Sequence, residues 1–532
     1  MQKLLVWAIL LLSFGIMIFV AKKDSLTVDE TVHMTAGYLH TWKGDYTYNS
    51  EHPPLANDLS GFFIGLVRPN LPKETPGDID QWQYGDKFFY QVGNNPDTLI
   101  FLGRLPIILL TLALFYLVFL WASEVWGVKA GVLSLLFAVT CPNLLAHGHL
   151  ATTDLILAFS FVLDFYILRK FILKSSWKNA VWLGVVSGLV LLSKFSGIII
   201  LPLNLFMYVV ILAIRKDKFV LENFLKMLVG FSIALGLTWL VYLFTMRHNW
   251  LVAFKTYGLG WFGGVGWLFG LIKWLALPLK KFYEGMDVVR GHNEFGHLSF
   301  LNGSYSLQGH WYYFPLAIWY KTPIPVMIAF VIAIIYSFRK RTGELWEKAL
   351  IILPAIIFFL ISLKSNLNIG LRHILPVYPL IYIFIGELAN VKNILFKILV
   401  VALAVANLFS AVRTFPDYLS YFNINAGGRA KGYEHLGDSN FDWGQNVGRF
   451  ADYLKKNNIQ KVYFSCYDVS ALKYYGIEVL PPPTQPIANG VIALCGQQYI
   501  LQPVEKPEYQ WFTKYPPDEV MANTIFVWRF PK

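Results

Sequence analysis

The sequence predicts an α-helical polytopic membrane protein with about eleven or more transmembrane helices and a small α/β domain at its C-terminus. Composition is the first reason. Of the 532 residues, 56% are hydrophobic and only 15% are charged, whereas soluble domains contain about 25% charged residues. The second reason is that the apolar residues occur in blocks of roughly 20, the length of a helix that crosses about 30 Å of hydrocarbon.

Eleven apolar blocks are predicted to be spans. They lie at about 4–21, 99–121, 129–145, 154–170, 179–193, 197–214, 224–246, 314–338, 349–363, 372–389 and 393–412. The first block could be a cleaved signal peptide. However, it is longer than a usual signal-peptide core and is preceded only by Lys3, so we expect a retained span.

The basic residues between these blocks predict the orientation. The net charge of +12 does not form one patch, so no nucleic-acid partner is expected. Alternate loops are rich in Lys and Arg, namely Arg169, Lys170, Lys174 and Lys178, then Arg215, Lys216, Lys218 and Lys226, then Arg339, Lys340, Arg341 and Lys348. Because basic loops stay in the cytoplasm, the N-terminus is predicted inside and the C-terminus outside the cell (inner) membrane.

Residues 1–413 are therefore predicted to form a transmembrane domain with external loops at about 22–98 and 247–313. The first loop has helical patterns near 28–42 and 55–67. Residues 414–532 are less apolar and are predicted to form a soluble extracytoplasmic α/β domain.

Within this C-terminal domain, residues 442–458 have a helical pattern, and 461–467 and 491–501 have strand character. The three cysteines, Cys141, Cys466 and Cys495, match no metal-binding spacing.

Two adjacent acids, Asp29 and Glu30, directly follow the first span. Ionisable residues at the membrane edge carry a desolvation cost, which makes them candidate catalytic residues. The alternative is a helix N-terminus, in which Thr27 is the N-cap, Glu30 completes a capping box and both acids favour the first turn.

A third acid and several cations are predicted at the same face of the membrane. Asp154 opens the fourth span, where N-capping is the alternative role. The candidate ligands of a donor phosphate are Arg372, His373, His52, Lys321 and Lys194. A snorkelling side chain is the alternative for Lys321, and an ordinary loop charge is the alternative for Lys194.

Acids and cations at a membrane surface suit the transfer of a sugar from a polyprenyl phosphate. A carboxylate can remove the proton of an acceptor hydroxyl that attacks the anomeric carbon. Arg, Lys or His can stabilise the charge of the departing lipid phosphate. The expected partners are therefore a polyprenyl-phosphate-linked sugar, a protein, lipid or glycan acceptor, and the bilayer. A transporter or lipid flippase is the competing class, but it predicts ionisable residues near the middle of the spans.

Several motifs resemble the GT-C glycosyltransferases, in particular the protein O-mannosyltransferase-like branch, which includes the lipid A aminoarabinose transferases. The motifs are the Asp-Glu pair with the later His-Pro-Pro-Leu, the Asp that opens a later external loop, GHWYYFPLAIWYKTP at 309–323, LRHILPVYP at 371–379, YLSYFNINAGG from 418 and DSNFDWGQ ending at 445. The resemblance implies that Asp29 is the catalytic carboxylate, Asp154 the second acid and Arg372 a phosphate ligand. His52 stands where the aminoarabinose transferases have a Lys, so its contact with phosphate does not follow from the resemblance.

No cofactor is predicted, and a divalent metal has no support in the sequence. The residues His292, Glu294, His297 and His310 fall in one loop. Their spacing matches no helical pair of zinc ligands, so a polar loop is the better interpretation. The Trp-Trp-Asp pattern of oligosaccharyltransferases is absent from the sequence.

Overall fold

The fold is known from a computed structural model that describes residues 2–253, 266–339, 345–467 and 469–531. Most of the described chain before residue 415 is helical. Its helices are α1 (Gln2–Lys23), α2 (Val28–Tyr38), α3 (Leu55–Gly65), α4 (Gln81–Tyr90), α5 (Pro96–Trp126), α6 (Val128–Val139), α7 (Pro142–His147), α8 (Thr153–Leu173), α9 (Trp177–Ser193), α10 (Ile200–Arg215), α11 (Leu221–Thr245), α12 (Arg247–Ala253), α13 (Gly266–Phe295), α14 (Tyr313–Lys321), α15 (Ile324–Arg339), α16 (Leu345–Ser362), α17 (Val377–Ile385) and α18 (Ile394–Thr414).

Six of the described helices are long and apolar enough to cross a membrane, or seven if the bent pair α14 and α15 counts as one span. The six are α1, α5, α10 with the turn before it, α11, α16 and α18. All eleven predicted blocks overlap a helix, but α6, α9 and α17 are shorter apolar helices. The structure thus gives a membrane protein with several spans, while the number eleven stays a prediction.

Two predicted spans are broken, and both breaks precede a proline. The predicted span 314–338 is two helices bent by 110°, with Thr322 extended before Pro323. The predicted span 129–145 ends as a helix at Val139, and α7 starts at Pro142 after an extended Cys141. The cause is steric, because proline disfavours helical dihedral angles in the residue before it.

The two helices predicted in the first external loop are present as α2 and α3, and they pack backbone to backbone. A Cβ on Gly37 would lie 1.8 Å from the carbonyl oxygen of Asn57, and one on Gly61 would lie 1.8 Å from the carbonyl carbon of Gly37. Only glycine permits this approach, which brings the first two turns of α3 against the last turn of α2.

The segment predicted as an external loop at 247–313 contains α12, the long helix α13 and a hairpin of strands β1 (Ser299–Leu301) and β2 (Ser304–Ser306). Part of that prediction, 254–265, lies outside the described residues, as do Lys340 and Arg341 of the basic loops.

The C-terminal part contains a mixed five-stranded sheet in the order β4-β3-β5-β7-β6. Strands β3 and β4 and strands β3 and β5 are parallel, and the other pairs are antiparallel. The elements are α19 (Val447–Lys456), β3 (Lys461–Ser465), α20 (Ser470–Tyr474), β4 (Glu478–Leu480), β5 (Gly490–Cys495), α21 (Gly496–Glu505), α22 (Gln510–Thr513), β6 (Glu519–Met521) and β7 (Ile525–Phe530). A disulfide joins Cys466 to Cys495.

The strand predicted at 491–501 is wrong beyond Cys495, where the chain turns into α21. The Asp442 carboxylate accepts a hydrogen bond of 3.1 Å from the backbone N–H of Gln497. An anion at this position stabilises a helix N-terminus. The predicted helix 442–458 likewise starts only at Val447, because residues 438–445 form turns against the helical bundle.

Candidate active site

The Glu30 side chain is buried, and both of its carboxylate oxygens are paired. Its side chain is 0% exposed and forms a two-pronged ion pair with Arg104 of α5, with N···O distances of 2.8 and 2.6 Å. It also accepts hydrogen bonds from the backbone N–H groups of Thr27 at 3.0 Å and Ala151 at 2.8 Å. Burial opposes ionisation, but Arg104 and these donors keep the pKa of Glu30 below its usual value. The capping interpretation therefore describes Glu30, which has no open side toward a substrate.

Asp29, the preceding residue, lies in a different environment. Its side chain is 30% exposed, and its Oδ2 accepts a hydrogen bond of 3.0 Å from Nη1 of Arg372. Neighbouring helical residues point about 100° apart, so Asp29 faces away from Arg104. It retains free carboxylate lone pairs, because one charged contact uses only part of its accepting capacity.

Arg372 is held in place from several sides. It lies in the short helical turn Leu371–Ile374, and its Nε donates to the Ser439 hydroxyl at 2.9 Å. Its guanidinium stacks 4.1 Å from the ring centre of Trp443. The structure thus brings Arg372 and Asp29 together, and it adds Ser439 and Trp443 from the 438–445 segment.

Asp154 completes a cluster of two acids and two cations. It is 1% exposed, and its Oδ1 accepts a 2.6 Å hydrogen bond from Nζ of Lys194, while its Oδ2 lies 3.4 Å from Nη1 of Arg372. Thr152, not Asp154, is the N-cap of α8. Lys194 is thus a member of this charged cluster rather than an isolated loop charge.

Histidines surround the cluster. The rings of His52 and His33 lie 4.8 Å apart. Burial, together with the charges of His33, Lys194 and Arg372, keeps the pKa of His52 well below its usual value. The ring of His147 lies edge-on to Trp443, and burial lowers the pKa of His147 to about 3. These rings are therefore neutral at neutral pH and supply hydrogen-bonding atoms instead of charge.

His373 and Lys321 have different surroundings. The Nε2 atom of His373 is buried and has no hydrogen-bond partner in the described part of the chain. The Lys321 ammonium is buried and donates to the carbonyl oxygens of Leu419 and Asn440. Lys321 is therefore not a snorkelling side chain, and in this structure it does not belong to the Asp29–Arg372 cluster. Its two hydrogen bonds connect the end of α14 to the C-terminal segment.

Four residues of the site were not assigned a role from sequence: His33, Asp438, Ser439 and Trp443. His33 could have been found, because it follows Asp29 by four residues and so shares its helix face. Asp438 has a left-handed backbone (φ 56°), and burial raises its pKa against the opposing charge of Arg372. The partners in 438–445 depend on contacts between distant parts of the chain, for which the sequence has no local signal.

The residues considered for a metal come from the end of α13 and from the segments on either side of the β1–β2 hairpin. Glu294 pairs with Arg290 along α13 at 3.4 Å, and the rings of His292 and His297 lie 5.8 Å apart. Across the described ranges, no three His, Cys, Asp or Glu side chains are grouped to hold a metal ion.

Comparison with known proteins gives a family match for part of the chain and a structural match for most of it. Residues 87–242 match the family model described as dolichyl-phosphate-mannose-protein mannosyltransferase. The chain also shares its fold with ArnT from Cupriavidus metallidurans, at 14% identity and a TM-score of 0.50, over 94% of each chain. The matched segment thus resembles a family of membrane mannosyltransferases, and the fold of the chain is that of ArnT. The resemblance to the GT-C glycosyltransferases inferred from the sequence motifs is thereby confirmed, and the proteins that the chain matches are glycosyltransferases.

The chain is also similar to the oligosaccharyltransferase of Archaeoglobus fulgidus in its apo form, at 13% identity and a TM-score of 0.47, over 96% of this chain and 72% of that one. No curated protein sequence matches the chain significantly.

Proposed function

We propose that this GT-C enzyme transfers a sugar from a polyprenyl phosphate to an acceptor hydroxyl, with inversion at the anomeric carbon, on the outer face of the membrane. The observation that carries the proposal is the partly exposed carboxylate of Asp29, 3.0 Å from an arginine that also contacts Asp154. A base and a phosphate-binding cation are thus adjacent, as a single displacement requires.

In the proposed reaction the acceptor oxygen attacks the anomeric carbon and its proton passes to Asp29. The bond between that carbon and the phosphate oxygen breaks, and the electron pair leaves with the lipid phosphate. Arg372 and Lys194 stabilise the phosphate charge. Asp154 holds both cations by its two oxygens, which keeps them close before the donor arrives.

The nature of the donor lipid has separate support. The ArnT structure was obtained with undecaprenyl phosphate bound, and the matched family is named for dolichyl-phosphate mannose. A polyprenyl phosphate is therefore the donor class that we propose, with a protein, lipid or glycan as acceptor.

The function is tested with purified protein in proteoliposomes and a radiolabelled polyprenyl-phosphate sugar. We expect the label to move to an acceptor or to water, in proportion to the amount of protein. Movement of the intact lipid across the bilayer without cleavage of the sugar–phosphate bond would instead indicate a flippase.

Replacement of Arg372 tests the phosphate site. We expect Arg372→Ala to weaken donor use by about 1.5–3 kcal/mol, or roughly 10–150-fold, because one charge-assisted contact is lost. Arg372→Lys should restore only part of the lost donor use, since lysine lacks the guanidinium group that can donate two parallel hydrogen bonds. The measurement is transfer rate against donor concentration, with Lys178→Ala, at an exposed cation of α9, as the control. Unchanged donor use in Arg372→Ala would remove Arg372 from the phosphate site.

We further propose that residues 414–532 form a domain outside the cell membrane. The alternation of basic loops supports this orientation, and so does the Cys466–Cys495 disulfide, because disulfides persist mainly in oxidising compartments. The remaining cysteine, Cys141, is buried, so introduced thiols can be labelled selectively.

We expect an impermeant maleimide to label Lys514→Cys in intact spheroplasts, and to label Lys218→Cys only after membrane disruption. Both positions are exposed, so accessibility alone decides the result. The reverse pattern would invert the topology and would place Asp29 on the cytoplasmic side.

A further inference from the structure

His33 is a buried histidine that uses only one ring nitrogen. It lies on α2, one turn after Asp29, and is 3% exposed. Its Nδ1 lies 2.7 Å from Oδ1 of Asn57, whereas its Nε2 forms no hydrogen bond within the described ranges.

A nearby histidine of the same segment provides a contrast. In His40 both ring nitrogens are engaged, with Nδ1 3.0 Å from Oδ1 of Asp58 and Nε2 3.1 Å from the carbonyl oxygen of Tyr48. That is the pattern of a histidine whose role is structural, because buried polar atoms are normally paired. His33 departs from this pattern on the side of the helix that carries Asp29.

A chain of hydrogen bonds fixes which nitrogen of His33 carries the proton. The Glu51 carboxylate can only accept hydrogen bonds. It accepts one from Nδ2 of Asn49 at 3.2 Å and one from Nε2 of Gln81 at 2.7 Å. The Oδ1 of Asn49 then accepts from Nδ2 of Asn57 at 2.9 Å. This orients the Asn57 amide with its Oδ1 toward His33, so that Nδ1 of His33 must donate. The lone pair of Nε2 is consequently left free.

We propose that His33 is a sugar-binding residue whose Nε2 accepts a hydrogen bond from a hydroxyl of the sugar that is transferred, and that Glu51, Asn49 and Asn57 are positioning residues that hold it in the accepting tautomer. The proposal rests on the proposed function and deepens it, because it assigns a residue that distinguishes sugars.

The location of His33 favours the transferred sugar over the lipid phosphate. His33 shares a helix face with Asp29, where the acceptor hydroxyl is deprotonated, and its ring packs 4.8 Å from that of His52. His52 in turn is under the electrostatic influence of Lys194 and Arg372, where the phosphate binds. The sugar must lie between base and phosphate, and the His33 ring is close enough to both to be influenced by the charges of Asp29 and Arg372.

A neutral ring is required for this role. Burial lowers the pKa of His33 despite the nearby carboxylate of Asp29, so Nε2 is unprotonated at neutral pH. Gly37 packs against Gly61 and against the backbone of Asn57. This packing holds the Asn57 amide beside His33, so that Nδ1 of His33 keeps its hydrogen-bond acceptor.

The test combines variants with donors that each lack one hydroxyl. His33→Asn keeps a donor near the position of Nδ1 and has no atom at Nε2, whereas His33→Gln places an amide oxygen near Nε2. We expect one deoxy donor to be used about 3–15-fold less well than the full sugar by the unmodified enzyme, the effect of one neutral hydrogen bond. That ratio should fall to about one in His33→Asn and return in part in His33→Gln.

His40→Asn is the matched control, because it alters a buried histidine with two structural bonds and should leave the donor ratio as it is. An unchanged ratio in His33→Asn, with transfer by the unmodified enzyme intact, would overturn the assignment of His33 alone. Absence of transfer by the unmodified enzyme with every donor would overturn the proposed function as well, and the two failures are thereby distinguished.

Discussion

Replacing Asp29 with asparagine is expected to reduce sugar transfer by about 10²–10⁴-fold while the protein remains folded. Asparagine has nearly the same size and can still accept a hydrogen bond from Arg372, but it cannot take the proton of the acceptor hydroxyl. Because Asp29 is partly exposed and makes one ion pair, its loss should cost little stability. The measurement is the initial transfer rate, with thermal unfolding in the same detergent.

Near-normal transfer in Asp29→Asn would exclude Asp29 as the general base. The base would then have to be sought at Asp154, the other acid of the cluster. A large loss of stability would also contradict the assignment, since it would mean that Asp29 acts mainly on the fold.

Replacing Glu30 with glutamine is expected to affect stability and not chemistry directly, the opposite of Asp29→Asn. It should destabilise the protein by about 3–5 kcal/mol. The reason is that Arg104 would remain buried without a counter-charge, and a glutamine can replace only some of the bonds that Glu30 accepts. Thermal or denaturant unfolding measures the loss. Asp29→Asn is the matched control, as a change of the same chemical kind at the next residue.

The pH dependence of stability gives a second test of Glu30. Its pKa is lowered by folding, so its contribution is present above the usual carboxyl pKa and is lost as the pH falls toward the folded value. The Glu30→Gln protein should therefore lose less stability on acidification than the unmodified one. Equal acid sensitivity in the two proteins would show that the Glu30–Arg104 pair contributes little.

This division between two adjacent acids could be predicted in part from sequence. Helical geometry separates their directions, and the spacing of Thr27 and Glu30 identifies the capping residue. Their partners could not be predicted, because Arg104 is 74 residues away from Glu30 and Arg372 is 343 residues away from Asp29. Local patterns contain no information on such pairs.

The same limit applies to the fold. Apolar blocks located the helices, since length and hydrophobicity are local properties, and Pro142 and Pro323 are local causes of the two breaks. The angle between the flanking helices, 110° at Pro323, depends instead on how those helices pack. Lys321 illustrates the point for the site. Its position in an apolar block indicated a membrane-edge cation, whereas its ammonium binds two carbonyl oxygens of the C-terminal segment, which no pattern around Lys321 reveals.

Arg372 is held in position by Ser439 and Trp443, two residues that are synthesised late. A nascent chain contains Asp29, Asp154 and Lys194 long before the ribosome reaches residue 439. All of the helices up to α18 are therefore made before the arginine can be fixed in position. The proposed phosphate site is therefore completed last, and a chain interrupted before residue 439 would contain the acids of the site without a fixed Arg372.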